Sequence, residues 1–139
     1  YLEEQENVIG RLKYSGAPIG EKNEDDTVDL TATGADGTTL IRRDAHIRQA
    51  APSVNGGERI LRRGYSFTDG FDRVRGQLDA GLFFICFQRD PRKQFVPIQE
   101  RLGQNDSLNE YIVHNGSALF AVPPGASEKD DFIGRGLFG

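Results

Sequence analysis

The chain has no methionine, no tryptophan, one cysteine and two histidines among its 139 residues. A lone Cys86 excludes an internal disulfide and says little about redox compartment. Two histidines and one cysteine, widely separated, give poor support for a zinc site. No apolar run exceeds six residues, too short for a helix that spans a membrane. Tyr1 is not followed by a basic and then an apolar segment, so the start carries no export signal. No CxxC pair, P-loop, GxGxxG or Ser/His/Asp order is present. The opening LEEQEN stretch has no Met before it, and the chain reads as a piece of something longer.

Glycine, at 17 residues, is what the chain has in excess, and it suggests a loop-rich single domain. The net charge of -4 is unevenly laid out. Residues 1–41 carry three Lys/Arg against nine Asp/Glu, residues 42–93 eleven against six, and residues 94–139 three against six. Ten of the eleven central cations are arginines. A basic centre between acidic ends suits an anionic ligand, since guanidinium matches carboxylate and phosphate. Pairing with the protein's own acids explains it equally well. Nucleic acid fits poorly, because the total is acidic and no basic stripe is interleaved with aromatics.

Residues 1–57 show little periodicity and read as a loop-rich segment that wraps over a core instead of making one. Residues 58–139 have the texture of that core. Ile60–Phe67 predicts a strand, with Gly64 marking a bulge or a close backbone approach. Residues 68–80 are polar and turn-rich. The run LFFICF (82–87) predicts a strand buried on both faces, with Cys86 an inert buried thiol. Asp90 and Pro91 suit a helix start, Phe95, Ile98 and Leu102 share one face, and Gly103 suits the stop. A short helix follows over residues 107–113, then a strand at 117–122. This order predicts an α+β fold, an antiparallel sheet with helices on one face. The tail, with its spaced apolar residues up to Phe138, is expected to dock back on the body.

Residues 41–67 concentrate the candidates for chemistry. His46 is a donor that suits a metal when a carboxylate or carbonyl holds its other ring nitrogen. A surface or hydrogen-bonded histidine is the plainer explanation. Arg62 and Arg63 alternate on the strand, so one points inward and needs an anion or a reaction that creates one. Two solvated edge arginines would also satisfy the pattern. Glu110 completes a capping box with Ser107, a structural role that accounts for it without a site. His114 fits a helix C-terminus.

These residues also resemble a known family. His46-Ile47-Arg48 with Ala51-Pro52, ILRRGYSF (60–67), GLFFICFQRDPRKQF (81–95) and SALFAVPPG (117–125) are similar to the C-terminal half of dye-decolorizing (DyP-type) haem peroxidases. The flavour is that of the bacterial subgroup containing deferrochelatase-like proteins. QENVIGRLKYSGAPIG (5–20) fits the same family's linker. The resemblance implies a ferredoxin-like half of a dimeric α+β barrel, carrying haem b (iron protoporphyrin IX). It implies His46 as the proximal iron ligand, Arg62 as the distal arginine, and Leu82 and Phe84 as distal pocket lining. Glu110 falls where the family places the carboxylate on the histidine's Nδ1, in competition with its capping role. Arg48 is expected to contact a propionate, on the strength of the basic centre.

The implied activity is oxidation of dyes or other bulky aromatic reductants by hydrogen peroxide. A fixed guanidinium would stabilise the charge that develops on the departing oxygen. With no Trp in the chain, Tyr65 or Tyr111 is the candidate electron relay. The family's distal acid, an aspartate in a GxxDG motif of the N-terminal half, is missing. Gly34-Ala35-Asp36-Gly37 is one residue too short, and Asp69-Gly70 is in the wrong place. The resemblance therefore calls for an N-terminal half or partner chain, leaves room for a homo-oligomer, and favours an exported parent. Two other readings stay open: a non-catalytic haem-binding or deferrochelatase-like module, and an α+β interaction domain with no cofactor.

Overall fold

The structure is a computed structural model that describes every residue except Asp130, Phe138 and Gly139. Helix α1 spans Leu2–Ile9, with Glu3 and Glu4 in its first turn, where acids complement the helix dipole. It ends on Gly10, in the left-handed region at φ 86°. A Cβ at Gly10 would drive into Cγ2 of Ile47, so glycine is required here twice over. Helix α2 is the single turn His46–Gln49. Strands β1 (Leu61–Asp72) and β2 (Gln77–Phe87) form one antiparallel hairpin, and helix α3 spans Phe95–Asn105. A 3-10 turn, Ser107–Glu110, follows at once. The α+β class expected from the sequence holds, with a two-stranded sheet among the described residues.

Both strands run further than the sequence suggests. The stretch 68–80 is not a long loop; the chain reverses within residues 73–76. There Asp72 Oδ1 accepts from the Val74 and Arg75 amides, and Gly76 takes φ +70°. The irregularity expected at Gly64 lies instead between Thr68 and Phe71, at Gly70. Gly64 is in register with Phe84, and the Leu82 side chain lies over it. This is the close approach that the glycine signalled.

The largest departure concerns burial. Among the described residues, the buried apolar side chains Val8, Ala17, Pro18, Ile41 and Ala45 come from the first 45 positions, and Ile98 comes from α3. The segment expected to wrap over a core therefore makes most of the buried one. The strand expected to be buried on both faces is open instead: Leu82, Phe83 and Phe84 are 57%, 63% and 41% exposed. Cys86 is only half-buried. The run 117–122 forms no strand, and Leu119, Phe120 and Val122 are exposed. A buried ladder needs strands on either side, and among the described residues there is only the one hairpin.

Local chemistry explains the other shifts. Asp90 does not cap α3; it closes the turn before it, accepting from the Arg92 amide, and the helix starts at Phe95. Gln94 then ties three segments together. Its Oε1 accepts from the Arg89 and Asp90 amides and its Nε2 donates to the Arg59 carbonyl. Gly103 does not stop α3, which continues to Asn105. The tail turns back on Pro124, through the Gly134 amide, and leaves Phe132, Ile133 and Leu137 exposed. The part of that expectation resting on Phe138 and Gly139 lies outside the described residues.

Candidate functional site

His46 opens α2 directly after Ala45, whose extended backbone (ψ 139°) turns the chain into the helix. The ring is 31% exposed, and its Nδ1 lies 2.6 Å from Oδ2 of Asp106, whose side chain is 3% exposed. Asp106 sits between α3 and the 3-10 turn and caps the turn: Oδ1 accepts from the Leu108 amide at 2.9 Å. One oxygen is thus fixed by backbone and the other faces the imidazole. With Nδ1 so engaged, Nε2 is the ring atom left to act as a donor to a metal.

This geometry corrects the expectation for Glu110. Glu110 is exposed at the end of the 3-10 turn, and the carboxylate on Nδ1 belongs to Asp106. The reciprocal capping box expected of Ser107 and Glu110 does not form among the described residues. Asp106 is the cap, and Ser107 turns its hydroxyl to the Asp44 carbonyl. Cap and histidine partner are one side chain. The sequence signal was the aspartate directly before Ser107, a residue type that caps as well as serine.

Arg48 is largely engaged within the chain. Its Nε donates to the Arg42 carbonyl at 3.0 Å, and its Nη2 to the carbonyls of Leu30 and Ile41 at 2.8 and 2.7 Å. These donors hold the 30–42 loop against α2 and are not offered to a propionate. Gln49, buried, accepts from Nε of Arg101 at 3.0 Å and so ties α2 to α3. Arg42 grips both carboxylate oxygens of Asp44, at 3.0 and 2.6 Å, and holds that carboxyl below the usual range.

The second group lies on the hairpin. Arg62 pairs across the strands with Cys86, Gly64 with Phe84 and Ser66 with Leu82. Directly opposed residues share a face, so Arg62, Phe84 and Leu82 are gathered on one side of the sheet. Among the described residues the Arg62 guanidinium makes no hydrogen bond or ion pair. Phe84 meets Phe95 at the start of α3, with ring centroids 6.5 Å apart. Arg63 is on the other face, 5.7 Å over the ring of Tyr65. Asp36 accepts from its neighbour Thr38 within its own loop, and Asp69 is exposed on β1. No hydrogen bond or ion pair among the described residues links the His46 cluster to the Arg62 face. An open apolar cleft beside α1, lined by Val8, Ile9, Leu108 and Tyr111, contains none of these residues.

Residues 1–127 match the family model described as Dyp-type peroxidase, C-terminal. The chain belongs to this family. It is 48% identical over 134 residues to a dye-decolorizing peroxidase of Thermobifida fusca (strain YX), an alignment covering 96% of this chain and 30% of that protein. It is 40% identical over 138 residues to a deferrochelatase of Escherichia coli (strain K12), covering 98% and 32%. Among solved structures it superposes on DtpA from Streptomyces lividans, in an X-ray generated oxyferrous/water mixed complex. The TM-score there is 0.90 at 42% identity, over all of this chain and 38% of that one. A DyP-type peroxidase from Streptomyces coelicolor gives a TM-score of 0.88, covering 99% and 37%. The chain thus spans about a third of its curated relatives. It has the ferredoxin-like α+β fold of the DyP-type structures, and the DyP-type C-terminal region is where His46, Asp106 and the Arg62 face reside.

Proposed function

We propose that this chain is the haem-ligating part of a peroxidase that uses hydrogen peroxide to oxidise dyes or other bulky aromatic reductants. The observation that carries the reading is the Asp106–His46 pair. A buried carboxylate on Nδ1 leaves Nε2 facing outward, the arrangement a histidine needs to hold iron firmly. Among the described residues no three His, Cys, Asp or Glu side chains converge on one point. A metal on His46 would then take its other ligands from a cofactor, and the four nitrogens of haem b meet that need. Haem, when bound, supplies the iron chemistry that reduces peroxide.

The chain's own residues have separable tasks in this reading. His46 would hold the iron, and Asp106 would fix the ring's orientation and increase its electron donation. Arg62, unpaired here, would stabilise negative charge developing on the departing peroxide oxygen. Leu82 and Phe84, beside it, would keep water from that side. Residues 1–57 would carry the proximal ligand and residues 58–139 the opposing sheet. The open apolar surface of β1 and β2 supports a partner segment, which would bring the acid that moves the peroxide proton. Of the two candidate relays, the cation over Tyr65 opposes electron withdrawal from that ring, which favours Tyr111. A Tyr111→Phe variant that oxidises a bulky dye at the unaltered rate rejects that relay.

The test of the whole is haem titration followed by peroxide-dependent dye oxidation, with the N-terminal region supplied. His46→Ala should abolish the Soret band of the bound form. Arg62→Ala should keep that band and slow peroxide reactivity by about 10²–10³-fold. A band indifferent to His46→Ala would overturn the reading. A haem spectrum without turnover would favour the deferrochelatase-like alternative, which the relatives of that name support.

A further inference from the structure

We infer that Ser107 is a positioning residue for the His46–Asp106 pair, acting through the main chain at Asp44. The inference rests on the proposed role of His46. The dipeptide Asp106-Ser107 grips the segment 44–46 at two levels. Asp106 reaches the imidazole, at 2.6 Å. Ser107 reaches the backbone two residues earlier, where its amide and its hydroxyl both donate to the Asp44 carbonyl at 3.0 Å. A carbonyl oxygen has two lone pairs, and here one residue occupies both.

This double contact spans 63 positions of sequence, so it is tertiary and not a local turn. Each end is anchored by other bonds. The Asp106 amide donates to the Leu102 carbonyl at 3.0 Å, which fixes the dipeptide to α3. Ala45, between the gripped carbonyl and the histidine, is fully buried, and Arg42 holds the Asp44 carboxylate. The Nδ1···Oδ2 separation therefore depends on how the Asp106-Ser107 dipeptide is seated on segment 44–46, and the two Ser107 bonds to the Asp44 carbonyl hold that seat. Losing the hydroxyl leaves the amide bond as a single hinge about which 44–46 can tilt. A charge-assisted hydrogen bond weakens steeply with such a tilt. Electron donation by the imidazole would fall with it.

The deciding measurement needs no haem. At one fixed pH, the Nδ1 proton and nitrogen shifts of His46 are compared by NMR in the unaltered chain, Ser107→Ala, Ser107→Thr and Asp106→Asn. The expected result is that Ser107→Ala moves both shifts in the direction of Asp106→Asn, by a smaller amount. Ser107→Thr, which restores a hydroxyl, should return them. Unchanged shifts in Ser107→Ala overturn the inference even if Tm falls, because a merely structural serine would lower Tm alone. Failure of Ser107→Thr to restore them also overturns it. With haem bound, Ser107→Ala should raise the ferric/ferrous midpoint potential, since a weaker donor stabilises the ferric state less. If the unaltered chain takes up no haem with the N-terminal region supplied, the proposed function fails, and the NMR comparison still decides the role of Ser107.

Discussion

The His46 corner and the β1–β2 hairpin are built on opposite terms. In the corner almost every polar contact ends inside the chain. Arg48 meets three carbonyls, Gln49 meets Arg101, and Asp106 divides its oxygens between backbone and imidazole. The hairpin has its own ladder, broken between Thr68 and Phe71, yet its aromatic and aliphatic side chains on both faces are largely exposed. A hairpin alone is marginal in water, so on the proposed reading this one packs against a partner segment. One region is tied down by its own polar contacts, and the other leaves its apolar side chains exposed.

Hydrogen exchange should show the contrast at its largest. Amides of Leu61–Asp72 and Gln77–Phe87 should exchange at least about a hundredfold faster than those of α3 around Ile98, because local opening of the hairpin costs little. Supplying the N-terminal region of the parent should slow the hairpin amides by a similar factor and leave α3 nearly unchanged. Equal protection of hairpin and α3 in this chain alone would break the comparison.

Gly10→Ala attacks the corner where it is tightest. The new Cβ needs a left-handed backbone at φ +86° and meets Ile47, the residue after His46. Strain and overpacking together should cost roughly 2–4 kcal/mol, read as a fall in the denaturation midpoint. Arg48→Ala should follow at about 2–3 kcal/mol, since it leaves the part-buried carbonyls of Leu30 and Ile41 without a donor and that of Arg42 with the Ala45 amide alone. Chemical denaturation measures both. If Arg48→Ala costs no more than an exposed substitution, the loop is held by something other than the guanidinium.

The same contrast explains what was legible in the sequence. The α+β class and the family could be read, because His46-Ile47-Arg48 and the run at 60–67 are distinctive as residue types in order. Asp106 was missed by one position. A capping pattern satisfied by Ser107 and Glu110 hid the aspartate beside them, and no local rule says that a cap also serves a histidine sixty residues away. The run at 82–87 reads as a strand buried on both faces, and 117–122 as a further strand, because apolar composition records the burial a segment is adapted to. On the proposed reading that burial is against a partner segment, which would account for the open hairpin and for 117–122 forming no strand. Sequence reports the environment a segment is adapted to, and a structure of part of a protein reports only the contacts available.

The smallest effect is the most discriminating, because it repeats the Gly10 substitution in the other region. Gly64→Ala places a Cβ about 3.0 Å from Cδ1 of Leu82, tight by any standard for a packed interior. The backbone there is ordinary strand, without a positive φ, and alanine gives up less conformational entropy on folding than glycine. Leu82 is 57% exposed, so its flexible end can swing into solvent. These opposing contributions should leave stability within ~0.5 kcal/mol of the unaltered chain, checked by the same denaturation experiment. Once the missing surface covers Leu82, that escape closes. The same methyl should then cost roughly 1–3 kcal/mol as overpacking. A large loss in this chain alone would mean that Leu82 is already fixed, and that the hairpin is more finished than its exposure implies.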